Sequence, residues 1–348
     1  MCVLASDKNL KMTYPRAGAA RRHHTIPKFY LRGFSSKEQI ATVRLPGADR
    51  FLQSIGDATV GKDFYSLEGH EEGDDVFEQF LAGVEGDASR VFKRIETGTW
   101  PLTATDRTTL GFFIALQASR VPVQRRTTNE MAAQLLRLQI GAGGKASLRQ
   151  RLERQGEEAS DELVEQVWAE FTNPDGPAIR ASTEFHVNQV AKTSEEILKY
   201  IVGRPWTLIR FDRRSLLTCD SPVALIPDPN EEPWRGVGYL TAWGISYPLS
   251  RKLGLLMSSP EELIKRREPV ERVWEGAADR YITGTTKLEQ FINQNTVGSA
   301  SEWLYHHPDD EGFVPADLPE PSLVTIRMQG EPIQFSGEPL FGANESQT

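Results

Sequence analysis

Cysteine is scarce in this chain, which contains only Cys2 and Cys219 among 348 residues. A disulfide framework and a cysteine-ligated zinc cluster are therefore excluded, and a reducing, cytoplasmic location is expected. Long apolar runs are also lacking, since no stretch approaches the roughly 20 apolar residues of a membrane-spanning helix. The first five residues are too short for the apolar part of a signal peptide, so no membrane partner is predicted.

Three motifs of common enzyme classes are missing from the sequence. It has no Gly-rich phosphate loop followed by Lys-Ser/Thr, no GxSxG elbow and no GxGxxG fingerprint. These absences disfavour a kinase, a P-loop ATPase, an α/β-hydrolase and a Rossmann-type dehydrogenase. No nucleotide cofactor is therefore expected.

Charge is unevenly distributed along the chain. The net charge is −8, but residues 1–50 carry ten Lys/Arg against three Asp/Glu, or +7, which leaves −15 for the remainder. The acidic total disfavours nucleic acid as a non-specific partner. A basic segment beside a site could still attract a small anionic ligand, or it could be a solvated arm.

Apolar periodicity predicts helices first and strands later. Helical spacing covers residues 75–97 and a second helix that begins near Thr105 or Asp106, both suitable N-caps. It continues over residues 123–143, where glycines at 141–144 are predicted to end it, and returns over 185–202, whereas short β-rich segments follow Trp206. We predict an α+β fold with an N-terminal helical bundle packed on a mainly antiparallel β-sheet from the C-terminal half. The predicted organisation is a disordered or extended arm over 1–20, one domain over 21–330 with a charged helical insertion at about 145–175, and a loose tail over 331–348.

The first of these predicted helices has two glutamates at the edge of its apolar face. At 100° per residue, Glu78 and Glu85 lie about 20° apart. They could bind a metal, share a proton, act as acid and base, or pair with nearby arginines. The apolar face itself is predicted to consist of Phe77, Phe80, Leu81, Val84, Ala88, Val91, Phe92 and Ile95.

The second helix places Gln117 within its apolar face and Arg120 at the rim. A buried glutamine costs about 1–3 kcal/mol unless its amide is hydrogen-bonded, so an interior polar partner is predicted. Arg120 could pair with Glu85, or it could grip an anion through two hydrogen bonds.

The remaining candidates lie in other segments. His23 and His24 are adjacent, so in extended chain at most one enters a given site, as a base, a metal ligand or a structural group. Asp220 is predicted at a strand end beside Ser221, where it could serve a site or a turn. Asn293 lies on a later helix and could complete a polar pocket. His306 and His307 are predicted at an exposed strand terminus.

The N-terminal motif also resembles a known family. The string His23-His24-x-x-Pro27-x-x-Tyr30-Leu31-x-x-Phe34 resembles the opening signature of the microbial domain-of-unknown-function 4238 family. The resemblance covers roughly residues 22–305 and continues, in the family's order, through Asp63-Phe64-Tyr65 and the segments 113–122, 218–223, 248–250 and Asn293. Cys219 replaces a more familiar serine, and the charged stretch at 145–175 is unusual. The resemblance implies no reaction, so chemistry must come from the residues.

Three hypotheses of function follow. The first is a metal-assisted hydrolase, with Mg or Mn, that cleaves a phosphodiester or nucleotide. The second is a binding module for a small anionic ligand, and the third is a purely structural polar network. The hydrolase hypothesis assigns catalysis to His23, His24, Gln117 and Arg120, substrate binding to Tyr30, Ser221 and Asn293, and metal binding to Glu78, Glu85 and Asp220.

Overall fold

The computed structural model describes residues 22–62, 76–173, 176, 181–232, 236–322 and 333–340. The predicted arm over 1–20 and the motif Asp63-Phe64-Tyr65 lie outside these residues. Described residues of 20–123 and 187–323 form a larger compact unit, and those of 124–186 and 324–348 form a smaller one. The single domain over 21–330 stays a prediction.

Helices and strands follow the predicted order. The helices are α1 (Lys28–Leu31), α2 (Val76–Glu96), α3 (Ala104–Ser119), α4 (Pro122–Arg154), α5 (Asp161–Thr172), α6 (Thr183–Val202), α7 (Glu261–Lys265), α8 (Val270–Trp274) and α9 (Thr286–Ser299). The strands are β1 (Arg22–His24), β2 (Gln39–Arg44), β3 (Asp49–Ser54), β4 (Val60–Lys62), β5 (Trp206–Arg210), β6 (Thr218–Cys219), β7 (Ala224–Ile226), β8 (Gly244–Ser250), β9 (Leu253–Ser258), β10 (Arg280–Thr283) and β11 (Trp303–His306).

The described strands form three sheets within the larger unit. One pairs β1 with β4, the second has the order β10-β5-β9-β8-β7, and the third has the order β3-β2-β11-β6. Every neighbouring pair is antiparallel except β10 with β5. The α+β prediction is therefore confirmed, although N-terminal strands contribute to two of the sheets.

The main core joins α2, α3 and the end of α6 to the five-stranded sheet. Gly111 permits close packing of α3 on α6, because a Cβ atom there would lie 2.6 Å from Val202 Cγ1. Two details of the predicted helices are wrong. The α3 N-cap is Thr103, whose side chain accepts from the Asp106 amide. Phe80 is 44% exposed, because its ring lies at the edge of the stripe against Phe77 and Phe112.

Two interior arginines tie the helices to this core. The Arg107 guanidinium pairs with Asp279, donates to the backbone carbonyls of Val202 and Arg204, and lies 4.1 Å from the ring centroid of Trp206. Burial raises the pKa of Asp279 and lowers that of Arg107, and each charge counteracts the shift in its partner. The Arg204 guanidinium donates to four carbonyl groups, those of Tyr200, Tyr239, Ala242 and Ser258.

The smaller unit has its own apolar cluster, around Leu148, Leu152 and Trp168. The predicted helix end at 141–144 is an interruption instead, because Gly144 adopts φ +72° and α4 continues to Arg154. Residues 333–340, within the expected loose tail, are held here by hydrogen bonds from Lys145 N to Gly337 O and from Leu340 N to Ala142 O. No helix in the described ranges is long and apolar enough to cross a membrane.

Candidate functional site

The two N-terminal histidines point in different directions, as predicted for neighbours in a strand. His23 is buried, and its Nδ1 lies 3.8 Å from Glu78 Oε1 on α2. His24 Nε2 instead lies 3.2 Å from the carbonyl oxygen of Gly56, in the turn before β4. His23 is therefore the histidine that meets one candidate carboxylate, Glu78, while His24 joins β1 to its neighbouring turn.

Gln117 and Arg120 form the centre of the site. Gln117 is 0% exposed, and its amide oxygen, assigned from its partners, accepts hydrogen bonds from Arg120 Nε at 2.8 Å and Nη2 at 2.5 Å. Arg120 Nη1 donates to Glu85 Oε1 at 2.9 Å. The predictions of a buried, hydrogen-bonded glutamine and of an Arg120–Glu85 pair are therefore confirmed.

Two sides of the Arg120 guanidinium group meet neighbouring side chains, and the predicted bidentate grip on an anion stays a prediction. An arginine grips a carboxylate or phosphate bidentately through one edge of its guanidinium group. The Nε/Nη2 edge donates to the Gln117 oxygen, and Nη1 donates to Glu85. Glu85 is 27% exposed and Arg120 only 1%, which places the carboxylate on the solvent side.

One face of α2 therefore carries two contacts between a carboxylate and a basic side chain. Glu78 meets His23 and Glu85 meets Arg120, seven residues apart, or about 10.5 Å along the helix axis. A ligand that contacted both would need the length of a nucleotide rather than of a single phosphate group.

Two buried tyrosines stack on each other. Tyr30 is buried, and its hydroxyl group donates to the Pro248 carbonyl at 2.7 Å and pairs with Thr218 Oγ1 at 2.8 Å. Its ring stacks on Tyr247 of β8 with centroids 5.4 Å apart. Tyr30, proposed for substrate binding, thus fixes the N-terminal motif to β6 and β8. Burial raises the pKa of both phenols, so both stay protonated.

Asp220 is bound by backbone amides instead of by the side chains of this site. Its Oδ1 accepts from the Ser301 amide at 2.8 Å, and its Oδ2 accepts from the amides of Glu302 and Trp303 at 2.9 and 3.2 Å. These contacts hold the start of β11 beside β6. The strand-end position was predicted, but the carboxylate serves the backbone of another strand rather than the His23 site.

The Asn293 side chain also makes three hydrogen bonds within the fold. Its Oδ1 accepts from the Leu217 amide at 3.0 Å, and its Nδ2 donates to Ser215 O and Glu289 Oε1 at 3.1 and 2.7 Å. The amide thus clamps α9 to the segment before β6. Ser221 is half-buried next to Asp220. None of these contacts joins Asn293 or Asp220 to Arg120.

The carboxylates predicted to bind a metal have other partners. Glu78 meets a histidine, Glu85 an arginine and Asp220 three backbone amides. Within the described ranges, no three His, Cys, Asp or Glu side chains are grouped as ligands for a metal ion. The described residues do not fit a Mg or Mn site, so the metal-binding assignment stays a hypothesis and no step below uses a metal.

The sequence prediction missed a polar cluster at the end of β11. His306 and His307 are buried, not exposed, and His306 Nε2 lies 3.0 Å from Glu311 Oε2. Arg251 Nη2 donates to Asp310 Oδ1 at 2.7 Å. The burial of β11 between β2 and β6 explains the error, because a four-residue strand gives too little periodicity to show which faces are covered.

Comparison with known proteins identifies one relationship. The model of the family described as "Protein of unknown function (DUF4238)" matches residues 22–310. Comparisons with curated proteins and with solved structures gave no match. The matched range includes His23, Glu78, Glu85, Gln117 and Arg120, together with both tyrosines. Since it covers most of the sequence, this chain belongs to the DUF4238 family.

Proposed function

We propose that the protein binds a small anionic ligand, a phosphate or carboxylate compound, at Arg120. The observation that supports this is the difference between Arg120 and the other interior arginines. Arg107 pairs with a fully buried aspartate and Arg204 donates to backbone carbonyls, whereas the carboxylate partner of Arg120 reaches solvent. Glu85 then acts as a resident anion that a ligand replaces.

Electrostatics favour such an exchange at Nη1. A buried guanidinium needs an anionic partner, because an unpaired interior charge is costly. A ligand that displaces Glu85 keeps the charge compensated, and Glu85 can turn into water. Gln117 meanwhile holds the opposite edge of the guanidinium group and fixes its plane.

Two substitutions should change ligand affinity in opposite directions. Glu85→Gln removes the competing charge, so we expect inorganic phosphate or citrate to bind roughly three- to tenfold more tightly, or about 0.6–1.4 kcal/mol. Arg120→Lys loses the fixed fork and should abolish most of the ligand-induced rise in melting temperature. The measurements are thermal shift and calorimetric titration.

Arg90→Lys is the matched control, since Arg90 is an exposed α2 arginine that pairs with Asp87. It should bind phosphate and citrate as the wild type does. If neither anion stabilises any variant, while Arg120→Lys lowers the melting temperature of the free protein, the Gln117–Arg120–Glu85 network is structural and the proposal fails.

A hydrolase is the second candidate, and the His23–Glu78 contact favours it. A carboxylate 3.8 Å from Nδ1 favours one orientation of the imidazole, which acts in this mechanism as the general base toward water. Arg120 would counter the negative charge of a phosphodiester or nucleotide. The distance between the two contacts and the net charge of −8 favour a nucleotide over a nucleic-acid polymer.

The adjacent histidines provide the test of this candidate. Hydrolysis of bis(4-nitrophenyl) phosphate and of cyclic nucleotides would be measured with EDTA and with Mg²⁺ or Mn²⁺. If His23 is the base, His23→Asn should lower kcat by about 10²–10⁴-fold, whereas His24→Asn should retain activity. Equal losses in both variants, or no hydrolysis by wild type under any condition, would reject the hydrolase and leave the binding function.

A further inference from the structure

His307 has a capping role that depends on its protonation state. It precedes the 3₁₀ helix Pro308–Phe313, and the Asp309 amide donates to His307 Nδ1 at 3.2 Å. A backbone N–H group can only donate, so Nδ1 must offer a lone pair and carry no proton. The cap therefore requires a neutral imidazole. The Ser and Thr caps of α3, α5 and α9 have no such requirement, because they do not titrate.

The surroundings of the ring favour this neutral form. Burial is the main cause that lowers the pKa of His307, and the nearby charge of Arg251 lowers it further. His306 acts in the same direction, whereas Asp310 and Asp309 oppose the shift. Arg251 is itself held in place, because its Nη2 donates to Asp310 Oδ1 at 2.7 Å. The closed 3₁₀ helix thus selects the neutral ring.

A second acceptor lies close to the same ring atom. His307 Nδ1 is 3.6 Å from Asp309 Oδ2, which is beyond hydrogen-bond distance, and the Asp309 side chain is 81% exposed. An ionised carboxylate accepts a hydrogen bond from a protonated Nδ1 but has nothing to donate to a bare one. A proton on Nδ1 would therefore exchange the Asp309 amide for the Asp309 carboxylate, and the 3₁₀ helix would lose its cap.

The 3₁₀ helix joins several distant parts of the larger unit. Its Phe313 packs against the apolar cluster that contains Val43 and Leu304. Its two inner acids are held by Arg50 from β3 and by Arg251 from the turn between β8 and β9. Loss of the cap would therefore loosen contacts with both regions.

We propose that Pro308–Phe313 is an acid-released latch, which neutral His307 holds closed and a proton on its Nδ1 opens. The inference is independent of the proposed function. The pKa of His307 is lower in the closed latch than the value of about 6.5 for a free histidine, so the open latch binds the proton more readily. Closure is thus complete above about pH 6.5 and weakens as the pH falls from there toward the closed-state pKa.

Hydrogen exchange measures the opening of the latch. Protection factors, which correct for the intrinsic effect of pH on exchange, are compared between pH 7.5 and pH 5.0 for the amides of residues 309–313. We expect them to fall about three- to tenfold on acidification. Helix α9 contains no histidine, so its protection should change by less than about twofold. Constant protection of residues 309–313 in the wild type would overturn the inference.

His307→Asn separates the cap from the proton. Asparagine caps helices well and does not titrate, so this variant should keep the wild-type protection at pH 7.5 and lose the fall at pH 5.0. His307→Ala removes the cap and should show roughly three- to tenfold less protection already at pH 7.5. A fall that persists in His307→Asn would assign the pH effect to another group, such as His306, and the inference would be wrong.

Asp309→Asn tests the exchange of partners at an exposed position, where the fold should tolerate the change. It removes the charge that favours protonation of His307, so the loss of protection should move to lower pH. An NMR titration of the His307 ring in wild type and Asp309→Asn gives the result even if the His307 variants do not fold. A ring that titrates above pH 6.5, or equally in both proteins, would contradict the latch.

Discussion

Replacing Arg107 with methionine should lower the free energy of unfolding by about 3–5 kcal/mol, the cost of breaking a fully buried ion pair. The substitution leaves the Asp279 carboxylate in the core and removes donors from the Val202 and Arg204 carbonyls. Urea unfolding, followed by tryptophan fluorescence, measures the loss. Arg94→Met breaks an exposed pair with Asp106 and should cost no more than about 1 kcal/mol.

The same variant has an expected pH dependence. Burial already raises the pKa of Asp279, and removal of the Arg107 charge raises it further. An acid whose pKa is higher in the folded state favours folding at low pH and loses that contribution as the pH rises through the folded-state pKa. The deficit of Arg107→Met should therefore be smaller at pH 5 than at pH 8. Adding Asp279→Asn to the Arg107→Met variant should recover part of the lost stability. A loss of unfolding free energy below about 1 kcal/mol in Arg107→Met alone would contradict a structural ion pair.

Asp220→Ala should lower the free energy of unfolding by about 3 kcal/mol, because three backbone amides lose a charged acceptor. Asp220→Asn should also destabilise the protein, since its amide nitrogen cannot accept from the N–H groups of residues 301–303. Chemical denaturation without ligand or metal measures both effects. Ser221→Ala, at the next position, is the control and should change stability by less than about 0.5 kcal/mol.

These substitutions also decide between the two roles of Asp220. A metal ligand outside the folding core would tolerate Asp220→Asn without a large change in stability, and the loss would appear in metal affinity instead. An Asp220→Asn protein as stable as wild type would therefore reject the structural assignment and restore Asp220 to the metal hypothesis.

Helix periodicity predicted those parts of the site whose burial depends on one helix face alone. Gln117 lies on the apolar face of α3, so its burial and its need for a partner followed from spacing alone, and Arg120 one turn later was within reach. The opposite directions of His23 and His24 followed in the same way from strand geometry.

Partners from distant segments could not be predicted in this way. The position of Asp220 at a strand end before proline marked it as a candidate, but the sequence does not say that β6 pairs with β11. The first residue of β11 and the two residues before it supply the donors. Asn293 was likewise recognised as a polar helix residue, but its partners in the segment before β6 were not predicted. Arg107 was missed because an arginine in the first turn of a helix is usually solvated, and only tertiary packing encloses it.

The hydrogen bonds of Tyr30 have a consequence for the order in which the protein can assemble during synthesis. Its two hydroxyl contacts span 188 and 218 positions of the chain. A ribosome that has made the histidine motif must therefore add more than two hundred residues before the motif can dock, and contacts of such separation form slowly. Until then Tyr30 lacks both hydrogen-bond partners and the ring of Tyr247, so the motif reaches its final packing only late in synthesis.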